Sequence, residues 1–198
     1  MPLPGGSVIP PTLRLAAPSL VALPQYEAAL AAGWSPDTER DVSAEQLMRL
    51  RKSRNAFLAS LTRQGGTLLL ASGEEVPRLP TRLFWLDDGD FCGVADFRYV
   101  AGSDALPDYV PGHIGYAVVP WKRRRGYATR ALALVLDIAR QQGMRRVEIT
   151  CDHDNDASRR VIEKNGGIYI RNWIRRGEKT KLLFQVALYE TAANIPVR

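Results

Sequence analysis

The densest set of residues able to bind an anion is Arg123, Arg124, Arg125, Gly126, Tyr127, Ala128 and Thr129, set between an apolar run and a long apolar helix pattern. Guanidinium groups grip phosphate oxygens in bidentate fashion and keep their charge. Gly126 tolerates positive φ and lets the backbone come close to a ligand. Ala128 keeps the helix start open, and Thr129 has a hydroxyl to donate. A helix start presents N–H groups without intrahelical partners, so a basic, glycine-bearing turn placed there suits a phosphate or diphosphate. Neither a Walker A loop nor G-x-G-x-x-G occurs. Three successive arginines also suit nucleic acid, but interleaved aromatics and a groove-entering motif are missing.

These residues need a strand before them and a helix after them. Ile114 to Val119 reads as the strand, broken by Pro120. A helix is expected over about Tyr127 to Gln142, with a narrow polar stripe at Arg130, Asp137 and Arg140 or Gln141, and Gly143 as its C′ residue. Val147, Ile149 and Cys151 alternate with polar residues as a further strand. Strand, helix, strand in this order predicts a parallel pair with a right-handed crossover. DNDASRRVIEKNGG reads as a short capped helix ending at Gly166-Gly167. Ile168 to Arg175 and Thr180 to Leu188 read as a hairpin around a basic turn.

Upstream, RLFWLD and FCGVADFRY flank DDGD, a hairpin signal. Thr12 to Ala16 alternates like a strand. Pro18 to Ala32 has a helical pattern stopped by Gly33. Ser43 and Gln46 form a capping-box pattern opening a second helix to about Gln64, ended by Gly65-Gly66. Val100 to Gly112 is a loop. The sum is a mixed α/β sheet.

The 198 residues suit one domain with a full core. No apolar run is long enough to span a bilayer. MPLPGGSVIPP lacks the basic-then-apolar order of a signal peptide and reads as a flexible tail over residues 1–11. Cys92 and Cys151 belong to no metal-binding spacing and read as reduced, packed thiols, with no metal site expected. A cytoplasmic location follows. The net charge of +6 favours an anionic ligand or partner.

PWKRRRGYATRAL is similar to the acyl-CoA signature of the GNAT superfamily of N-acetyltransferases, R/Q-x-x-G-x-G/A at a strand-to-helix turn. Arg123, Gly126 and Ala128 stand at its defining positions, and AVVP before it resembles the family's fourth strand. NDASRRVIEKNGG resembles the N-x-x-S-x-x-(V/L)-x-E-K-x-G segment of the branch that includes ribosomal-protein N-terminal acetyltransferases. Asn155, Ser158, Glu163, Lys164 and Gly166 match there. The resemblance implies a GNAT-type mixed, splayed central sheet flanked by helices, forming a single acyl-CoA N-acyltransferase domain over residues 12–198, with acetyl-CoA as co-substrate. The fourth strand would part from the fifth, and the pantetheine arm would bond there to backbone groups of Ala117, Val118 and Val119. Arg123 and the amides of Arg124, Arg125, Gly126, Tyr127, Ala128 and Thr129 would hold the diphosphate. Asn155 and Ser158 would meet the arm from the other side. The acceptor would be a primary amine, on a small molecule or a peptide N-terminus. Neither nucleic acid nor membrane is expected as a partner, and the chain would be a monomer or homodimer. The alternative is a non-catalytic acyl-CoA binding or sensing module on the same fold.

Acetyl transfer by direct attack needs a deprotonated amine, stabilisation of the oxyanion and a proton for the leaving thiolate. A backbone N–H near Val118 or Val119 is the expected oxyanion donor. Many relatives carry Glu two residues before the Gly-Tyr pair of the fourth strand. Here that residue is His113, whose ordinary pKa suits a base, or which serves as a strand histidine satisfying a neighbouring loop. Glu148 is the alternative base, with Asp96 and Asp152 behind it. Many relatives also have a Tyr in an L-Y-E-K pattern as the acid. Ile162 stands in its place within Val161-Ile162-Glu163-Lys164, so Ser158, Tyr116 or a water serves, or the thiolate leaves unaided. Trp34, Trp85, Trp121 and Trp173 read as core. The loops Val100 to Gly112 and Trp34 to Asp41 are expected to touch the acceptor.

Overall fold

The computed structural model describes residues 12–70, 72–174 and 179–189. The expected tail over 1–11 and the centre of the final basic turn, 175–178, lie outside the described residues. In chain order the elements are β1 (Arg14–Ala16), α1 (Leu23–Ala31), α2 (Ser43–Lys52), α3 (Arg54–Thr62), β2 (Thr67–Leu69), β3 (Glu75–Pro77), β4 (Thr81–Asp87), β5 (Phe91–Arg98) and β6 (Ile114–Val118). A 3₁₀ turn (Pro120–Lys122), α4 (Tyr127–Gln141), β7 (Arg146–Asp152), α5 (Asp156–Lys164), β8 (Gly167–Trp173) and β9 (Lys181–Ala187) follow.

The DDGD hairpin joins β4 to β5 and founds one sheet of order β1-β4-β5-β6. A second sheet has the order β7-β9-β8. All these pairings are antiparallel. Alternating side chains give the first sheet two apolar faces. Leu86, Cys92, Phe97 and Val118 pack with Ala131, Leu132, Val135, Leu136 and Ala139 of α4. Trp85, Phe91, Val94 and Ala117 pack with Tyr26, Ala29 and Leu30 of α1. Tyr26 stacks on Trp85 at 4.9 Å between centroids. Fully burying each large apolar side chain contributes about 2 kcal/mol, so the sheet is clamped from both sides. The α4 stripe is exposed at Arg130, Asp137 and Gln141, as the spacing predicts.

Four expectations change. The helix expected from Pro18 starts at Leu23, with Pro24 in its first turn, where a missing N–H costs nothing. The helix expected from Ser43 to Gln64 breaks at Ser53, which is extended (φ −162°, ψ 108°) and caps α3 through its Oγ. The Ser43–Gln46 box does not form. Asp41 accepts from both the N–H and the Oγ of Ser43, while Gln46 accepts from the Tyr26 hydroxyl. Lastly, β6 and β7 do not form the expected ladder, and the two sheets part between them.

The reason for that parting lies at His113. Its carbonyl is committed to the Arg98 N–H of β5 at 2.8 Å. Toward β7 it offers its N–H, which donates to Glu148 O at 2.7 Å, and its side chain, whose Nδ1 accepts the Glu148 N–H at 2.9 Å. Beyond this junction the strands diverge into a V. Close pairing of β5 with β6 needs Gly93, at φ +141°, where a Cβ would lie 2.1 Å from Ala117 O.

Candidate active site

The V opens into a cleft of about 1910 Å³, well above the ~300–1,000 Å³ of ordinary small-ligand pockets. It has room for a long cofactor and a second molecule. The arginine turn forms one end. Arg124 has φ +58° and Gly126, the N-cap of α4, φ +81°; no side chain caps that helix. Two left-handed residues so close together turn successive N–H groups toward one side, a geometry that binds anions. A Cβ at Gly126 would meet nothing within 4 Å, so the glycine serves φ and ligand approach rather than packing. Arg123, Arg124, Arg125, Tyr127, Ala128 and Thr129 all line the cleft.

Side chains of the turn are anchored from behind. Lys122 Nζ pairs with Asp88 Oδ1 at 2.7 Å and Oδ2 at 2.8 Å, and the Tyr127 hydroxyl donates to Asp88 Oδ2. Burial alone would raise the Asp88 carboxyl, but the bonds from Lys122 and Tyr127 hold it well below the usual carboxylate range. Tyr127 can therefore reach a diphosphate only through its backbone. Arg123 Nε donates to Val118 O at 3.0 Å. Asn165 Nδ2 ties α5 to the start of α4 through Thr129 O at 3.2 Å. Asp88 and Asn165 were not singled out by sequence. Their partners lie 39 and 36 positions away, beyond any local pattern.

Ladder alternation sorts the strand residues. Val119 N–H donates to Cys92 O at 3.0 Å, so the odd positions of β6 face β5. The N–H of Val118 and both backbone groups of Tyr116 then face the opening. The expected contributions of Ala117 and Val119 through their backbones are corrected accordingly: Ala117 and the Val119 N–H face β5, and the Val119 carbonyl accepts the Lys122 N–H at 3.0 Å. Of the two N–H groups expected as oxyanion donors, that of Val118 faces the opening and that of Val119 is taken by Cys92 O.

Across the V, the Tyr116 hydroxyl meets Ser158 Oγ at 2.8 Å, and Ser158 N–H donates to Asn155 Oδ1 at 3.0 Å. Tyr116, Asn155 and Ser158 line the cleft together. Burial pushes Tyr116 up to about 12, so it keeps its proton near neutrality. Ile162 is elsewhere: it is 0% exposed in the core with α4 and against Gly167. Cys151 lines the cleft, but burial pushes its thiol up to about 11, which disarms it as a nucleophile.

His113 and Glu148 do not line the cleft. His113 is 0% exposed, its Nδ1 lone pair is occupied by the Glu148 N–H, and burial drives its pKa down to about 4. Their placement gives the general-base expectation no support: the His113 side chain accepts the Glu148 N–H, and the His113 N–H donates to Glu148 O. The carboxylates in the cleft are Asp37, Glu39, Asp96 and Asp152. Asp152 and Glu39 both pair with Lys181, which is 5% exposed. Arg98 holds Asp96 by Oδ1, at 3.1 Å from Nε, while Oδ2 lies beside Gly115 of β6. Of the expected acceptor loops, Trp34 to Glu39 line the cleft, but only Pro111 and Gly112 do so from the other. Trp34, Trp85 and Trp173 are core, whereas Trp121 is 49% exposed at the cleft. Among the described residues no cluster could hold a metal, and no helix is long and apolar enough to cross a membrane.

No curated protein matches the sequence. Solved structures match it at low identity. RimL, a ribosomal L7/L12 α-N-protein acetyltransferase in complex with coenzyme A, is 18% identical with a TM-score of 0.59, over 89% of this chain and 94% of that one. Mycobacterium smegmatis RimJ in complex with CoA-disulfide is 21% identical with a TM-score of 0.59, over 88% and 85%. The microcin C7 self-immunity acetyltransferase MccE in complex with acetyl-CoA and AMP is 12% identical with a TM-score of 0.58, over 88% and 92%. These share the splayed fold. The family model for the GNAT acetyltransferase domain matches residues 19–168. The helices before the main hairpin, the arginine turn and the Asn155–Ser158 helix start all fall inside that match, and the chain belongs to the GNAT acetyltransferase family.

Proposed function

We propose that this protein is an acetyl-CoA-dependent N-acetyltransferase acting on a primary amine by direct attack, in a cytoplasmic setting. The observation that carries this reading is the convergence, in one cleft, of the uncapped arginine-lined helix start with the Tyr116–Ser158 pair. The turn from Arg123 to Thr129 holds the diphosphate. The Tyr116 and Val118 edge of β6 and the carboxamide nitrogen of Asn155 hold the arm. The complexes of RimL with coenzyme A and of MccE with acetyl-CoA support this placement.

In the reaction, the amine nitrogen attacks the acetyl carbon while the Val118 N–H stabilises the developing oxyanion. Asp96 Oδ2 takes the amine proton, directly or through a water. As the carbon–sulfur bond breaks, Ser158 gives its proton to the sulfur while the Tyr116 hydroxyl passes its own to Ser158, and solvent water returns a proton to Tyr116. Ser158 and Tyr116 so replace the tyrosine that Ile162 displaces. A peptide N-terminus is the favoured acceptor class, in keeping with the similarity to RimL. The test is thiol release from acetyl-CoA against a panel of small amines and short peptides. Release with any free amine, and none with N-blocked peptides, supports the reading. Tight acetyl-CoA binding without release from any amine points instead to a binding or sensing module.

A further inference from the structure

His113 carries a conflict that the reaction scheme leaves unused. It is 0% exposed and its Nε2 is buried without a hydrogen-bond partner among the described residues, yet a polar ring is kept where an aliphatic side chain would avoid that desolvation cost. The compensation is on the ring's other nitrogen. Nδ1 accepts the Glu148 N–H at 2.9 Å, the bond a strand carbonyl would make in a ladder. The His113 carbonyl is turned the other way, to the Arg98 N–H of β5. One residue thus joins β5, β6 and β7 at the apex of the V.

We propose that His113 is a positioning residue for acetyl transfer: its side chain stands in for a backbone carbonyl, pins β6 to β7 at the apex of the cleft, and so sets how far apart the two sheets lie where the acetyl group sits. Two residues beyond Ile114 on the same strand is Tyr116, whose hydroxyl reaches Ser158 at 2.8 Å across the opening. Six residues beyond Glu148 the chain passes through β7 into the turn that starts α5, which carries Ser158. The pin and the Tyr116–Ser158 contact are therefore the two ends of one lever. The backbone bond from the His113 N–H to Glu148 O at 2.7 Å stays in place; loss of the side-chain bond beside it lets the strands rotate about that single bond, which shifts the acid pair and the Val118 N–H without touching either. A single shift of about 1 Å at a reacting centre costs up to about 10²-fold in rate.

The inference rests on the acetyltransferase reading. Three variants in the full chain separate the roles. In His113→Asn the carboxamide oxygen takes the place of Nδ1; in His113→Gln it lies a bond too far; His113→Leu has no acceptor. Turnover is measured at saturating acetyl-CoA and amine, per folded active site counted by acetyl-CoA titration, with hydrogen exchange at the Glu148 amide alongside. The expected result is a kcat within about threefold of wild type for Asn, and a loss of about 10- to 100-fold for Gln and Leu, with the Glu148 amide protected only in wild type and Asn. Equal kcat per folded site in all variants reduces His113 to a packing role and overturns the proposal. Loss in all three, Asn included, with the amide still protected in Asn, returns His113 to chemistry and also overturns it. If Leu does not fold, Gln against Asn decides. If the wild type itself binds acetyl-CoA but turns over no amine, the enzymatic reading fails, and the pin is judged by acetyl-CoA affinity: Asn like wild type upholds it, Asn like Gln refutes it.

Discussion

At the scale of single residues, the proposed reaction assigns proton supply to Tyr116 and Ser158 and geometry to His113. Ser158→Ala removes the proposed donor nearest the sulfur and is expected to lower kcat about 10²-fold with little change in acetyl-CoA affinity; steady-state kinetics beside calorimetry checks this. His113 also gives the fold a pH dependence. Its folded pKa, pushed by burial to about 4, lies below the ordinary 6.5, and Arg98 acts in the same direction. Of the other charged groups, Asp104 opposes that shift and Arg146 adds to it. Below pH 6.5 the unfolded chain therefore binds a proton that the folded chain refuses. The contribution of His113 to stability is fully present above pH 6.5 and is lost as pH drops from 6.5 toward 4, about 3 kcal/mol in all. Melting temperatures measured between pH 7 and 4 are expected to fall less steeply for His113→Asn than for wild type. Ile162→Tyr is the contrasting case. The motif places Ile162 where relatives hold their acid, but the side chain is in the core against Gly167. The larger ring is expected to cost about 1–3 kcal/mol or more in chemical denaturation, and to give no gain in turnover.

At the scale of elements, what the sequence made legible was local. The strand before the arginines, the limits of α4, the DDGD hairpin and the Asn155 cap follow from periodicity, glycine and capping chemistry, and all are present. The break at Ser53 carries no glycine or proline to announce it. The β2–β3 hairpin is short and mostly exposed, so it leaves almost no hydrophobic pattern. The anchors of the site were illegible because they are long-range pairs. Lys181 joins Asp152 to Glu39, which lies 142 positions away. Although burial opposes its charge, the bonds it donates to Asp152 and Glu39 keep its pKa raised. Lys181→Met leaves two carboxylates without their cation and frees the loop after α1. It is expected to cost about 2 kcal/mol and to raise the acceptor KM more than the acetyl-CoA KM. Asp88→Asn is expected to do the reverse, since Lys122 and Tyr127 hold the phosphate turn through that carboxylate.

At the scale of the whole molecule, the chain joins two sheets through one pinned junction and spends the gap between them on a binding cleft. The excess of positive charge, +6 overall, is concentrated in part at the mouth formed by Arg123, Arg124 and Arg125. An anionic cofactor is thus attracted in a way that salt will screen. The central claim is that this turn binds the diphosphate of acetyl-CoA, and isothermal titration calorimetry of acetyl-CoA with wild type and Gly126→Asp tests it most directly. Gly126 has open space around it but a φ of +81° that strains any side chain, so Gly126→Asn is titrated alongside as the uncharged control that shares the strain, while the aspartate adds negative charge beside the diphosphate. The account predicts a micromolar Kd for wild type, about −8 kcal/mol, and no measurable binding for a folded Gly126→Asp. Equal affinity in the two proteins, or no binding to wild type at millimolar acetyl-CoA, would contradict it.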